Sequence, residues 1–398
     1  MIPLRWPRLT GALLLALALA LGPIPAAAQS VLATWGLGVT LDPLDGRGRG
    51  LGSVGPGLFG TGVVPGDPGA SLDLIVPTVA VSMQSSWLQV DQDAGSATLS
   101  GSRFPAMGIA YPVRDWGVLT VTYGGVLDQR WMLVRQNLLD LGAGGAGISV
   151  TDQFVSDGGV AAARVGLARR VTPNLGVALA VGRFTGSVIR TFTRSFNPLD
   201  AGVVVAPFKS GGRWGYSGVT ATAGLVFDVS DIVRAGGTLT WSGSLTAELT
   251  DGSEDRARKY DMPLEFRGGI SGALGAGLSA VLSASYADWS GAWSSLGGEA
   301  TAGPALSLGA GLEWTSPSFL GRPLPLRFGW RRAKLPFRLD TEDPVESTLV
   351  GGFGLQLAGT ANIPLAQIDL GVEHGTRSAG SVSEDFWRST VSLRLAGF

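Results

Sequence analysis

Residues 236–249 read Gly-Gly-Thr-Leu-Thr-Trp-Ser-Gly-Ser-Leu-Thr-Ala-Glu-Leu. The larger apolar residues Leu239, Trp241, Leu245 and Leu249 all fall on one parity, whereas Thr, Ser and Glu occupy the other. Because successive side chains of a strand point to opposite faces, the stretch predicts a strand with one apolar and one polar face. Many such strands in one chain are what a transmembrane β-barrel requires.

The same alternation recurs along the chain between residues that favour turns. It predicts strands near residues 73–90, 102–111, 116–130, 159–170, 175–190, 214–227, 232–249, 264–274, 278–289, 305–315, 324–331, 348–358, 367–376 and 386–396. Short turns such as 112–115 alternate with longer links such as 131–158 and 191–213, as periplasmic turns alternate with extracellular loops. We therefore predict an all-β fold, a transmembrane antiparallel up-and-down β-barrel of about 14 strands.

A soluble β-sandwich would also alternate and form hairpins. A sandwich would normally carry many Lys and Glu side chains on its polar parity. Here that parity is mostly Ser, Thr and Gly, and lysine occurs only at Lys209, Lys259 and Lys334. The low charged fraction of 15% therefore favours the membrane barrel over the sandwich.

The composition also restricts the chemistry. The formal net charge of −1 and the absence of a dense basic block argue against a nucleic-acid partner. There is no cysteine, which excludes disulfides and thiolate metal sites, and the single histidine, His374, leaves no His-based metal cluster. We expect no metal site and no cofactor.

The N-terminus has the pattern of an export signal. Arg5 and Arg8 precede an apolar run at 12–21, and Ala26-Ala27-Ala28 resembles a cleavage site. We predict a signal peptide at 1–28, a Gly-rich N-terminal hatch or plug at 29–72, and the barrel at 73–398. The alternative for 29–72 is a disordered tail, but its apolar residues favour an ordered plug inside the lumen.

Several stretches resemble the long-chain fatty-acid transporter family of outer membranes, the FadL-like barrels. Residues 46–52, Gly-Arg-Gly-Arg-Gly-Leu-Gly, and then Asp67-Pro68-Gly69-Ala70 are similar to that family's hatch and its Asn-Pro-Ala element, from which Asp67 and Gly69 depart. Met262-Pro263-Leu264, Tyr286-Ala287-Asp288-Trp289-Ser290 and Leu326-Arg327-Phe328-Gly329-Trp330 are similar to its strand motifs. The resemblance implies a 14-stranded barrel with an N-terminal hatch, and it is most specific over 263–337.

The last strand resembles an aromatic-ended assembly signal. We expect the C-terminal strand ending at Phe398 to be the contact with the barrel-assembly machinery. Counting back by twos from Phe398 gives mostly polar residues, so either a bulge near Gly397 turns this aromatic side chain outward or it points inward. We favour the bulge.

By parity, charged side chains point into the lumen at Arg164, Glu248, Glu265, Arg267, Glu313, Arg327, Arg331, Asp369, Glu373 and Arg394. Most of them are expected to neutralise one another. Arg327 and Arg331 could instead bind a ligand carboxylate, since a guanidinium offers two parallel hydrogen bonds. Trp289 and Trp293 could line an apolar pocket, and Asp67 and Pro68 form either a turn or a binding element.

The only candidate for a catalytic site is Glu373-His374 with the serines that follow. No third group that would orient the histidine is identifiable. We expect no enzyme. The leading hypothesis is a monomeric outer-membrane channel, in a Gram-negative-type bacterium, for uptake of a hydrophobic small-molecule ligand such as a fatty acid, in contact with outer-membrane lipid. The alternatives are a non-transporting barrel that scaffolds surface or periplasmic partners, and a general diffusion porin.

Overall fold

The computed structural model describes residues 30, 34, 37–53, 55–92, 95–139, 148–197, 205–251, 257–294, 303–337, 342–359, 364–380 and 382–397. The predicted signal peptide at 1–28 and Phe398 lie outside the described residues, as does the side chain of Trp293.

Twenty strands are described, and most of them form the wall of one barrel. They are β1 (Val39–Thr40), β2 (Thr78–Gln92), β3 (Gly95–Val113), β4 (Gly117–Asp128), β5 (Trp131–Leu139), β6 (Ile148–Thr172), β7 (Leu175–Asn197), β8 (Phe208–Ser230), β9 (Val233–Ser242), β10 (Leu245–Asp251), β11 (Arg258–Tyr260), β12 (Glu265–Gly275), β13 (Leu278–Asp288), β14 (Pro304–Trp314), β15 (Ser318–Phe319), β16 (Arg322–Pro323), β17 (Leu326–Lys334), β18 (Val345–Gly359), β19 (Pro364–Ala379) and β20 (Val382–Ala396). Two short helices are α1 (Gly46–Gly50) and α2 (Ser290–Ser294), and Pro68–Ser71 form a 3-10 helix.

The wall is a closed antiparallel circuit, because β20 pairs back onto β2. The order is β2, β3, β4, β6, β7, β8, β9, β12, β13, β14, β17, β18, β19 and β20. β5 continues β4, while β10 and β11 prolong the hairpin of β9 and β12. The predicted 14-stranded up-and-down barrel is confirmed.

Tight turns at 114–116, 173–174, 231–232 and 276–277 lie at the end of the barrel that also holds Thr78 and Ala396. We call this the turn end and the opposite end the loop end. The segments 131–139, 148–158, 191–197 and 208–213 are strands, although the sequence predicted loops there. These segments mix apolar and polar residues on the same parity, so they lack the regular apolar alternation that reveals a strand.

The outer surface is an apolar belt. Leu179 and Val181 are 66% and 65% exposed, and Leu225, Leu282 and Phe328 are also exposed on the outer face. A continuous belt of this kind far exceeds the patches that soluble monomers expose, and it fits the hydrocarbon core of a bilayer. Among the described residues, no helix is both long and apolar enough to span a membrane.

The stretch 236–249 does not keep one face throughout. Leu239 and Trp241 are exposed on the outer face, whereas Leu245 and Ala247 are buried in an interior cluster with Tyr260. The register shows why: β8 pairs Thr220 with Ser242 but Ser217 with Thr246, so one extra residue is accommodated at 243–244. A bulge of this kind reverses the parity. The prediction that Glu248 points inward is therefore wrong, because its side chain is exposed.

The same place interrupts the hydrogen-bonded ladder of the hairpin. Glu265 pairs with Thr240 and Tyr260 with Leu245, but no pairing joins 241–244 to 261–264. Pro263 has no N–H to donate, and Ser244 Oγ donates to Asp261 Oδ1 at 3.0 Å across the break. The outer face changes from apolar to polar here, from Trp241 to Asp261, so water can hydrate the unpaired backbone groups.

The described residues of the N-terminal segment lie inside the barrel. Strand β1 pairs with β4, α1 contacts β17 to β20, and the 3-10 helix contacts β6, β7 and β8 on the other side. We call residues 37–74 the plug. The backbone of the plug lies in contact with the backbone of the wall. A Cβ added to Gly57, which has φ +83°, would lie 2.3 Å from the Gly269 carbonyl oxygen. A Cβ added to Gly309 would lie 1.9 Å from the Gly52 carbonyl oxygen. Inner-wall glycines therefore make room for the plug.

At the chain terminus, Thr390 and Ser392 are buried on the inner face, as the parity predicts. Gly397 has φ +74°, and its N–H donates to the Pro77 carbonyl oxygen at 2.8 Å. That geometry fits a change of chain direction at the predicted bulge. The orientation of Phe398 itself stays a prediction.

Candidate ligand cavity and plug contacts

Ion pairs join the plug to the wall around Asp42. Its Oδ1 lies 2.8 Å from Arg267 Nη1, and its Oδ2 accepts a hydrogen bond from Arg331 Nη2. Arg331 also donates from Nε to Ser307 Oγ at 2.9 Å. Burial alone would raise the pKa of Asp42, but Arg331, Arg267 and Arg49 outweigh it and hold that pKa well below its usual value.

A second group of ion pairs involves α1. Arg47 Nη2 lies 2.6 Å from Glu313 Oε2, and Arg327 Nε lies 2.8 Å from Glu313 Oε1. Arg327 Nη1 also lies 2.7 Å from Asp369 Oδ1. The prediction that Arg327 and Arg331 face the lumen is confirmed. Both guanidinium groups are bound to carboxylates of the protein, and their role in ligand binding stays a prediction.

Asp67 and Pro68 lie at the turn end of the barrel and line no described cavity at the loop end. Asp67 Oδ1 accepts from the Gly69 N–H at 3.1 Å and so begins the 3-10 helix, which packs near Val226 and Gly224 of β8. Burial raises the pKa of the Asp67 carboxyl to about 6, although hydrogen bonds from the Gly69 and Ala70 backbone lower it. The geometry of these residues is that of a turn.

Between the plug and the loop end lies a cavity of about 130 Å³. Its apolar lining lies on or next to strands all around the barrel and is formed by Leu88, Val126, Phe184, Met262, Pro263, Ala287, Trp289, Leu335 and Phe386. Arg331 and Trp289 border it, whereas Arg327, Asp67 and Pro68 do not. The backbone of Trp293 lies in α2, just after Trp289. The structure thus brings together two of the six predicted ligand residues.

The same lining is rich in cations. The lining carries nine cationic and four acidic side chains: Arg49, Arg103, Arg130, Arg164, Arg267, Arg331, Lys334, Arg377 and Arg388 against Asp42, Asp128, Glu265 and Glu346. Arg164 is 7% exposed, and neither its Nε nor its Nη1 has a hydrogen-bond partner within the described part of the chain. The sequence parity predicted that Arg164 points inward, but it did not distinguish Arg164 from the inward charges that are expected to neutralise one another.

The signal that distinguishes Arg164 was present in the strand register. Its cross-strand neighbours are Thr122 on β4 and Gly182 on β7, neither of which is acidic. A Cβ on Gly182 would lie 2.6 Å from Arg164 Cγ, so the glycine leaves room for the arginine stem. Assigning these neighbours requires the register, which the sequence did not supply.

The wall next to the cavity is interrupted between β3 and β4. Pairing between these strands runs from Val113–Gly117 to Ala106–Gly124 and no further, while β4 and β5 continue along β6. The plug strand β1 pairs with the edge of β4 that β3 leaves unpaired, with Thr40 opposite Leu127. Arg130 also bridges the gap, since its Nη1 donates to the Ser102 carbonyl oxygen at 2.9 Å.

The side chains of Glu373 and His374 point to opposite faces of the sheet. Glu373 is buried on the inner face next to Arg49 and Arg388, whereas His374 is exposed and its ring stacks on Trp387 at 4.4 Å between centroids. Adjacent strand residues point to opposite faces, so these two cannot act on one substrate. No cluster of three or more potential metal ligands occurs in the residues that the structure describes.

These features define the protein as a plugged, 14-stranded transmembrane β-barrel. Solved structures share this fold. A Pseudomonas aeruginosa FadL homologue has a TM-score of 0.56 and 12% identity over 90% of this chain and 99% of its own. A monoaromatic hydrocarbon channel, CymD, has a TM-score of 0.53 and 13% identity over 90% and 98%.

The Pseudomonas putida toluene transporter TodX has a TM-score of 0.52 and 12% identity over 90% of this chain and 99% of its own. At these identities the similarity establishes the fold alone. No protein-family model matches the chain, and no curated protein matches it by sequence.

Proposed function

We propose that this protein is an outer-membrane channel for the uptake of apolar small molecules. The observation that carries the proposal is the cavity between the plug and the loop end, whose lining includes apolar side chains such as Phe184, Met262 and Trp289, inside a barrel whose lumen the plug fills. Ligand sites are typically concave and mostly apolar with a few polar groups. The fold is shared with a hydrocarbon channel and a toluene transporter, which supports the same class of ligand.

The route passes through the cavity and then sideways through the wall. A free aqueous path would have to cross the plug and its ion pairs, which an apolar solute would enter only at a large desolvation cost for the charges. The gap between β3 and β4 avoids that path, because it lies next to cavity residues such as Thr40, Val126 and Arg130. Displacement of β1 from Leu127 opens the gap.

The first experiment measures uptake of radiolabelled toluene and fatty acids by cells with and without this protein. We expect faster uptake with the protein present. Equal rates would overturn the proposal. Planar-bilayer recordings then separate this channel from a general diffusion porin, because a filled lumen gives almost no ion conductance and a porin gives large single-channel steps. A pull-down of stoichiometric surface or periplasmic partners without uptake would instead support the scaffold.

The route is tested with a disulfide that locks β1 in place. The chain has no cysteine, so the double variant Thr40→Cys/Leu127→Cys, which are register partners, contains a single possible disulfide. Oxidation should abolish uptake and a reductant should restore it. The matched control is Gly237→Cys/Gly268→Cys, partners in an intact part of the ladder, where oxidation should leave uptake unchanged. Equal uptake by the oxidised Thr40→Cys/Leu127→Cys variant and the wild type would contradict the β1 route.

A further inference from the structure

Arg164 differs from every other cation of the cavity. The eight others each lie within 4 Å of a carboxylate: Arg49 of Glu373, Arg103 and Arg130 of Asp128, Arg267 and Arg331 of Asp42, Lys334 of Asp343, and Arg377 and Arg388 of Glu346. Arg164 has no such contact among the described residues. Glu265 attracts it from a distance, but that carboxylate is bound to Arg267 at 2.6 Å.

An unpaired guanidinium at this depth is expensive. Burying a charged group without hydrogen-bond partners is strongly unfavourable, and in a membrane protein such groups typically mark a ligand or ion site. The wall around Arg164 offers hydroxyls and glycine, since its register neighbours are Thr122 and Gly182. Within the described part of the chain no acceptor meets this guanidinium, which leaves it available to a ligand in the cavity.

The partner must also fit the apolar lining of the cavity. Phe184, Met262 and Trp289 line the same cavity and offer apolar surface, and Phe184 lies two residues from Gly182, the register neighbour of Arg164. A cavity of about 130 Å³ is compact, comparable with engineered apolar cavities that hold one benzene ring. A ligand that fits both Arg164 and the apolar lining carries one acidic group on a compact apolar body.

We propose that this cavity binds a small apolar carboxylate, with the Arg164 guanidinium as the acceptor-binding group and Phe184, Met262 and Trp289 as the apolar contacts. This inference rests on the proposed uptake function and specifies its ligand class. A guanidinium binds a carboxylate through two parallel, charge-assisted hydrogen bonds, and a lysine cannot reproduce that geometry. The neutral hydrocarbon of the same shape lacks this contact and binds more weakly.

The test compares 4-methylbenzoate with toluene, which differ by one carboxylate. Binding of each labelled compound is measured on the full-length mature protein in lipid nanodiscs, with empty nanodiscs subtracted, for wild type, Arg164→Gln and Arg164→Lys. Arg164→Gln should weaken 4-methylbenzoate about 10- to 100-fold and change toluene less than about 2-fold. Arg164→Lys should fall between wild type and Arg164→Gln.

The matched control is Arg183→Gln. Arg183 pairs with Ala163 on the neighbouring strand but is exposed on the outer face. This variant should bind both compounds like the wild type. A folding readout is included, because removal of an unpaired buried charge should leave the Tm unchanged or raise it. Binding of 4-methylbenzoate should raise the Tm of the wild type and not that of Arg164→Gln.

The outcomes separate this inference from the proposed function. Equal affinity of wild type and Arg164→Gln for 4-methylbenzoate would overturn the role of Arg164, while toluene binding and uptake would leave the channel function intact. A parallel loss of both ligands would make Arg164 a structural residue. Failure of the wild type to bind or take up either compound would overturn the proposed function itself.

Discussion

The arginines that hold the plug in place differ from Arg164 in what binds their guanidinium groups. Toward the plug, Arg47, Arg327 and Arg331 are bound by Glu313, Asp369 and Asp42. Toward the loop end, Arg164 faces the cavity without a partner among the described residues. Inward orientation alone therefore does not distinguish a structural charge from a ligand-binding one. The proposal for Arg164 rests instead on the absence of a carboxylate within contact distance among the described residues.

The largest effect on stability is expected for the ion pairs between the plug and the wall. Glu313→Gln removes the charge that binds both Arg47 and Arg327 while nearly preserving the volume of the side chain. Leaving buried cations without their carboxylate should lower the free energy of unfolding by about 3–5 kcal/mol. Urea unfolding of the protein refolded into lipid vesicles measures this change.

The control for Glu313→Gln is Asp115→Asn at an exposed turn, where both Asp115 and Arg114 have side chains more than 85% exposed. A surface pair of this kind should contribute less than about 1 kcal/mol. Similar losses for Asp115→Asn and Glu313→Gln would remove the distinction between plug ion pairs and surface ion pairs.

The next effect concerns the close approach of the plug to the wall. Gly309→Ala places a methyl group 1.9 Å from the Gly52 carbonyl oxygen, so the plug or the strand must move. We expect a destabilisation of about 1–3 kcal/mol, together with faster proteolysis of the plug and a rise in bilayer conductance. Gly303→Ala is the control, since no atom of the described residues lies within 4 Å of its added Cβ. If Gly309→Ala changes neither stability, proteolysis nor conductance, the plug does not pack closely against the wall at this position.

The smallest effect is a pH dependence at Asp67. Its pKa is raised from 3.8 to about 6 in the folded protein, so the folded state holds the proton more tightly than the unfolded state. The resulting stabilisation is complete below pH 3.8 and is lost as the pH rises through about 6. Asp67→Asn keeps an acceptor for the Gly69 N–H but cannot ionise.

Relative to Asp67→Asn, the wild type should lose about 1 kcal/mol between pH 5 and pH 7.5. Tm measurements of both proteins across this range check the trend. A Tm difference that does not change with pH, or one that changes in the opposite direction, would contradict the assignment.

Much of the fold could be predicted from the sequence because it depends on local alternation. The parity of residues such as Leu239 and Trp241 indicates lipid-facing strands, and the turn at 112–115 marks a hairpin. The reversal at 243–244 could not be predicted, since Leu245 and Ala247 keep the parity of Trp241 while the bulge changes the face. The strand extensions at 131–139 and 191–197 mix apolar and polar residues on one parity, such as Val134 with Gln136 and Phe192 with Arg194, so their alternation is weak.

The candidate site was harder to predict because its charge pairing joins distant parts of the chain. Arg331 and Asp42 are 289 residues apart, and Arg47 and Glu313 are 266 apart. The sequence identifies the inward arginines but not their partners. It therefore favoured Arg327 and Arg331, whose guanidinium groups are bound to the protein, over Arg164.

The most direct test of the distinction is a crystal structure of the protein with bound 4-methylbenzoate. The account predicts both carboxylate oxygens about 2.7–2.9 Å from the guanidinium of Arg164, with the ring against Phe184 and Met262. A carboxylate bound by Arg327 or Arg331 instead, or a ligand held outside this cavity, would contradict it.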